Sequence, residues 1–276
     1  MTVTNATIAA GNNYHFGGLL NDNGVLVGTS DPTAGNQDGS PMFRMLGAKS
    51  SPLQPNEPDF VTQTGDDQPM AQWQFDPTEN PSGVLTYAVV DLDQEAIFQN
   101  TKTFEFAGGK GGVRQPADTS RADICLIHQA RAKSADNTTY GASRWYVHLY
   151  LKATASPLGG TLEERTPMDN QISVSVNNSE AFPWGATLQE AIEGTERATQ
   201  IPYNFDDPIT IHTHKGDGAE TIFNVAYTPT ADADIEILIN GVKTTDWTRS
   251  GKAITFGTAP PSDQYIHTVY QFDTSA

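Results

Sequence analysis

Two stretches decide how this chain is read: "ADICLIHQARAK" (residues 122–133) and "SRWYVHLYLKAT" (residues 143–154). Both are dense in β-branched and aromatic residues, and the "SADNTTYGA" between them is turn-rich, so they predict two strands. In the second, alternation puts Trp145, Val147, Leu149 and Leu151 on one face and Tyr146, His148, Tyr150 and Lys152 on the other. The expectation is one core face and one half-polar face.

The same vocabulary extends outward. "MAQWQF" (70–75), "VLTYAVVDL" (84–92) and "TFEFAG" (103–108) read as strands, and "DLDQEAIFQN" between the last two reads as a short helix capped by Asp91. "QISVSVNN" (171–178) alternates Ile172, Val174 and Val176 against Ser173 and Ser175. Thr187 and Glu190 form a capping box that opens an expected helix, "LQEAIEGTERATQ" (188–200), which Gly194 weakens by about 1 kcal/mol relative to Ala. From Gly11 to Asp67, Gly, Asn, Asp and Pro crowd the sequence, as in "TSDPTAGNQDGSP" and "SSPLQPNEPDF", and predict strands joined by long loops.

At "IPYNFDDP" (201–208) two prolines and an acidic pair read as a linker. Beyond it short strands recur: "ITIHTH", "ETIFNVAY", "DIEILIN", "KTTDWT", "KAITFG" and "QYIHTVYQF". Asn240-Gly241 predicts a tight type I′ hairpin, Ser250-Gly251 the next reversal, and Pro260-Pro261 a strand end. The fold class expected is therefore mainly β: an N-terminal β-sandwich or barrel with one or two short helices and long loops (1–203), and a small C-terminal all-β, immunoglobulin-like sandwich (204–276).

Composition agrees. Twenty-four Gly and 17 Pro break 276 residues into short segments, and 33 acidic against 16 basic side chains give a formal charge of −17. Such a surface does not grip nucleic-acid phosphates. The N-terminus lacks a basic start and apolar stretch, and no run reaches the ~20 apolar residues of a membrane span, so a chain made soluble in the cytosol is expected. The sequons at Asn5, Asn137 and Asn177 are then accidental.

Candidate chemistry is thin. Cys125, the single cysteine, sits among apolar neighbours and reads as a buried structural thiol, with only His128 near enough in sequence to serve it as a base. "FAGGKGGVRQ" (106–115) lacks the Gly-Lys-Ser/Thr ending of a phosphate loop and reads as a mobile loop after a strand. His212 and His214 share a strand face at a metal-compatible spacing, without a third ligand, and read as exposed strand histidines. The pairs Glu163-Glu164, Asp66-Asp67 and Asp206-Asp207 are adjacent rather than facing, a poor geometry for glycoside hydrolysis. Trp73, Trp145 and Trp247 read as core, and Trp184 in the "FPWGA" loop is the modest exception that suits a carbohydrate platform. No catalytic, cofactor-binding or metal-ligating residue is assigned, no cofactor is expected, and the chain is read as a non-enzyme.

A resemblance adds function. "KGDGAETIFNVAYTP", "IEILINGVKTTDWTRSG" and "KAITFGTAPPSDQYIHTVYQF" resemble a small β-domain of tailed-bacteriophage virion proteins. "GSPMFRMLGAKSSPL", "TQTGDDQPMAQWQF" and "YVHLYLKATASPLGGTLEERTPMDNQISVSVNN" are similar in layout to the major tail tube protein of long-tailed, siphophage-like phages. The resemblance implies a structural protein of the virion tail, made in the host cytoplasm. It implies self-assembly into stacked homo-oligomeric rings, taken as hexamers, stitched by long loops and contacting other tail proteins. DNA would pass through an acidic lumen without specific binding, and 204–276 would decorate the surface with weak contact to the host. The alternative is another virion component with a binding role: head decoration, neck or receptor-binding fibre.

Overall fold

The computed structural model describes residues 7–27, 40–45, 48–50, 59–65, 68–75, 82–87, 92–98, 101–111, 121–134, 144–159 and 170–273. Among the described residues the chain is mainly β with two short α-helices. Its first half runs β1 (Thr7–Leu19), β2 (Ser40–Pro41), β3 (Phe43–Arg44), β4 (Ala48–Ser50), β5 (Asp59–Gly65), β6 (Gln68–Phe75), β7 (Ser82–Tyr87), α1 (Leu92–Phe98), β8 (Phe104–Phe106) and β9 (Gly109–Gly111). The long strands β10 (Asp123–Ser134), β11 (Arg144–Gly159) and β12 (Asn170–Asn177) follow, then α2 (Leu188–Ala191) and β13 (Gln200–Phe205). The last part is β14 (Ile209–Lys215), β15 (Ile222–Asn224), β16 (Ile235–Ile239), β17 (Val242–Thr244), β18 (Trp247–Ser250), β19 (Ala253–Phe256) and β20 (Tyr265–Gln271).

A large antiparallel sheet is ordered β3-β1-β10-β11-β12-β7-β4, with β13 pairing the first part of β11 where β12 does not reach. A five-stranded sheet, β17-β16-β20-β14-β2, lies against it, and β15-β19-β18 close the far side of that sheet. The strands predicted at 122–133 and 143–154 are the centre of the large sheet: β10 and β11 pair Ile127 with Leu149 and His128 with His148.

The expected half-polar face is covered in part: Ile124, Leu126, His128 and Tyr150 are buried, whereas Tyr146, His148 and Lys152 are half-buried. Cys125, Ile127, Val147, Leu149 and Leu151 belong to the cluster shared with the C-terminal strands. Ile124, Leu126, Tyr150 and Ala153 belong to a second cluster, which Phe98 of α1 joins from the opposite side. A sheet sandwiched between two layers needs apolar residues at successive positions, which is why "ICLI" runs without a polar break.

The boundary drawn at 203/204 falls inside β13. Residues from both sides of it share one cluster: Phe16 and Leu26 with Ile209, Ile211, Tyr270 and Phe272. The polar tie across the layers is Gln129 on β10. Its Nε2 donates to the Ile209 carbonyl at 2.7 Å, and its Oε1 accepts from the Ile209 N–H at 2.7 Å, so a side-chain amide pairs with β14 as a strand backbone would. Gln129 is 1% exposed. Replacing Gln129 with Leu strands a buried N–H and a buried C=O, each costing about 1–3 kcal/mol. A loss of about 2–6 kcal/mol is expected in denaturant unfolding, and a midpoint within error of wild type would refute the tie.

Local chemistry explains the turns. Asn240 (φ 50°) and Gly241 (φ 81°) make the expected two-residue hairpin between β16 and β17. Its tip rests on the Trp184-Gly185 turn: a Cβ on Gly241 would stand 2.6 Å from the Gly185 carbonyl oxygen. Gly251 (φ 61°) turns β18 into β19. The glycine-rich 106–115 stretch is a hairpin, not a loop, as far as it is described: Ala107 (φ 50°) and Gly108 (φ 78°) join β8 to β9, and the Phe104 ring covers Gly111. In β1, Gly17 pairs with Phe43, whose ring fills the place of the missing side chain.

The helices are shorter than expected at one site. α1 forms as predicted, with Asp91 outside the described residues. Thr187 caps α2, its Oγ1 accepting from the Glu190 N–H at 3.4 Å, but the helix ends at Ala191 instead of running to Gln200. Ile192 is extended, Gly194 takes φ 82°, and Ser179 pairs with Ala198, so the chain turns back onto β12. Predicted "ETIFNVAY" is likewise ordered as strand only over β15.

Candidate binding crevice and buried histidines

The sequence-flagged residues do not gather into a reaction centre among the described residues. Cys125 is fully buried, and burial pushes its thiol far above the usual range. His128 lies on the opposite face of β10, because 125 and 128 differ by an odd number of residues. The two residues therefore cannot act as nucleophile and base. Asp206 and Asp207 follow β13, whereas Asp66-Asp67, Glu163-Glu164, Asn5 and Asn137 lie outside the described residues. Trp145 is core, Trp247 packs against the core, and Trp73 is placed on β6. No cluster of His, Cys, Asp and Glu suited to a metal occurs among the described residues, and no helix there is long and apolar enough to cross a membrane.

The histidines are the larger surprise. His15, His128 and His148 occupy register-matched positions on β1, β10 and β11, the first two rings 4.3 Å apart. His212 and His214 share a face, as expected, but they are buried, their rings stacked 4.4 Å apart. The Ala226 N–H donates to His212 Nδ1 at 2.9 Å, while His214 Nε2 meets the Asn224 carbonyl at 3.1 Å. His267 Nε2 meets the Leu26 carbonyl at 3.0 Å, a further tie between the layers. A carbonyl only accepts, so His214 and His267 hold their proton on Nε2 and leave a buried Nδ1 without a hydrogen-bond partner.

Burial lowers these groups. His15 and His267 fall to about 4, His267 against a small opposing contribution from Leu26. His214 falls to about 3, through burial first and His212 second. His128 lies well below its ordinary value, through burial and then through His15 and His148. Such histidines are neutral at pH 7 and structural.

A concave feature does form beside β13. The crevice measures about 300 Å³. Its lining is mainly apolar and includes Trp184, stacked on Phe182 at 4.6 Å and 13°, with Tyr203 and Phe205 of β13. Asp234, Glu236, Lys243 and Gln271 supply its polar groups. Gln271 accepts from the Asp207 N–H at 2.9 Å, which commits its Nε2 to donate to Asp234 at 3.1 Å. Lys243 stands 3.4 Å from Glu236. Burial, and then the Glu236 charge, push the Tyr203 phenol up from its ordinary value. Of this set the sequence reading singled out Trp184 alone; the rest looked like ordinary strand residues.

No protein-family model matches the chain, and no curated protein is significantly similar to it.

Proposed function

We propose that the chain is a structural subunit of a phage virion, self-assembling into stacked rings that form the tail tube of a long-tailed bacteriophage, with 204–276 displayed on the tube. The supporting observation is the β5–β6 ribbon. It pairs only with itself among the described residues, with a register from Asp59↔Phe75 to Gly65↔Gln68. A two-stranded ribbon is marginal in water by itself, and a neighbouring subunit supplies the surface it needs. The loop-rich stretch around it is where stitching between rings is expected, and a charge of −17 suits a conduit that repels passing DNA.

Negative-stain electron microscopy of the concentrated full-length protein tests this. Rings or tubes are expected, and they are expected to be lost when residues 59–75 are replaced by a short Gly-Ser linker in a chain that stays folded. Persistent monomer at every concentration, without rings, sinks the reading. A second reading, a head-decoration or receptor-binding component, is favoured by the crevice. Copy number separates the two, because a tube subunit is abundant in a virion and a fibre tip is scarce.

A further inference from the structure

We infer that the crevice beside β13 is a binding site for a neutral saccharide. The mixed lining carries the inference. A sugar ring is amphipathic, with a face of C–H groups and a rim of hydroxyls, and a site for it combines an aromatic surface with fixed hydrogen-bonding groups. Trp184 is held by its stack on Phe182 and lines the crevice with Tyr203 and Phe205. In the same lining, Asp234 is fixed through Gln271, which the Asp207 backbone N–H orients in turn. Glu236 and Lys243 add an acceptor and a donor.

Other ligand classes fit worse. A wholly apolar molecule would match the aromatic lining but would still cover the charged Asp234, Glu236 and Lys243 groups without contacting them favourably, at a desolvation cost. An anionic ligand would meet those carboxylates on a chain of charge −17. The volume of about 300 Å³ stands at the small end of ligand sites, enough for one or two sugar rings rather than a long chain. Trp184 and Lys243 of the lining lie within two residues of the Gly185–Gly241 contact, and residues from both sides of position 203 build the site.

Saturation-transfer NMR on the full-length protein, with a panel of neutral hexose and N-acetylhexosamine mono- and disaccharides at concentrations on the order of 10 mM, tests the site. Transfer to at least one sugar is expected, accompanied by a change in tryptophan fluorescence. Glu236→Gln and Tyr203→Phe, both conservative, are expected to weaken binding about tenfold without changing the unfolding midpoint. Trp184→Ala is expected to abolish it. Absence of transfer from every sugar overturns the inference, as does transfer that survives unchanged in the Trp184→Ala and Glu236→Gln proteins. Binding of choline instead of sugars would likewise overturn it, showing a cation site built on the same aromatic residues. Ring formation does not depend on this outcome, so the two proposals fail separately.

Discussion

A chain ended at Tyr203 is expected to be recovered unfolded or aggregated, not as a smaller soluble particle. The cut leaves β13 unfinished and removes Ile209, whose backbone pairs with Gln129. It also removes Phe272 and Tyr227, whose rings stand 6.0 and 6.2 Å from the buried Phe16, and His267, which meets the Leu26 carbonyl. Phe16, Leu26, Ile127, Leu149 and Trp145 would lose the partners with which they share one cluster. At about 1.5–3 kcal/mol for each large apolar side chain, the loss is roughly 8–15 kcal/mol. That equals the whole net stability of an ordinary domain, about 5–15 kcal/mol. Circular dichroism and size-exclusion chromatography of residues 1–203 decide it: a monodisperse β-rich particle would show that the large sheet stands without its cover.

Acidification is expected to produce the second large effect. In the unfolded chain each histidine titrates near 6.5. In the folded chain His15 and His267 titrate at about 4 and His214 at about 3. Between these limits the unfolded state binds more protons, so stability falls as pH falls. The folded state keeps its full advantage above pH 6.5, loses it progressively from there, and has lost it by about pH 3. Lowering from 6.5 to about 4 corresponds to about 3 kcal/mol for each of His15 and His267, and lowering to about 3 corresponds to about 5 kcal/mol for His214, so the three together reach on the order of 10 kcal/mol by pH 3. Denaturant titrations at pH 7.5, 5.5 and 4.5 should show a steadily falling midpoint. His267→Gln should flatten part of that slope even if it lowers stability at neutral pH. A midpoint unchanged from pH 7.5 to 4.5 would refute the assignment.

The fold was legible where a residue's neighbours in sequence decide its conformation. Alternation located β10, β11, β12, β14, β16 and β20, Asn-Gly located the β16–β17 turn, and Thr187 located the start of α2. Reading failed where distant parts decide. Tyr150 and His148 look half-polar in sequence, yet a second layer covers part of that face and leaves Tyr150 at 2% exposure. Gln129 looks like a surface residue because its partner lies 80 positions away. The two-residue strand β2 joins the C-terminal sheet by pairing with His212 and Thr213, which no local pattern announces. The crevice was visible through Trp184 alone, since Tyr203, Asp234 and Glu236 meet it only when two layers come together.

The burial of Cys125 has a practical side. The chain carries one thiol, it is fully covered, and its proton is held tightly. A thiol reagent can react only with the exposed thiolate, so modification waits for the layers to part. The rate of labelling at low denaturant therefore clocks how often the core opens. That clock needs no engineered probe anywhere in the chain.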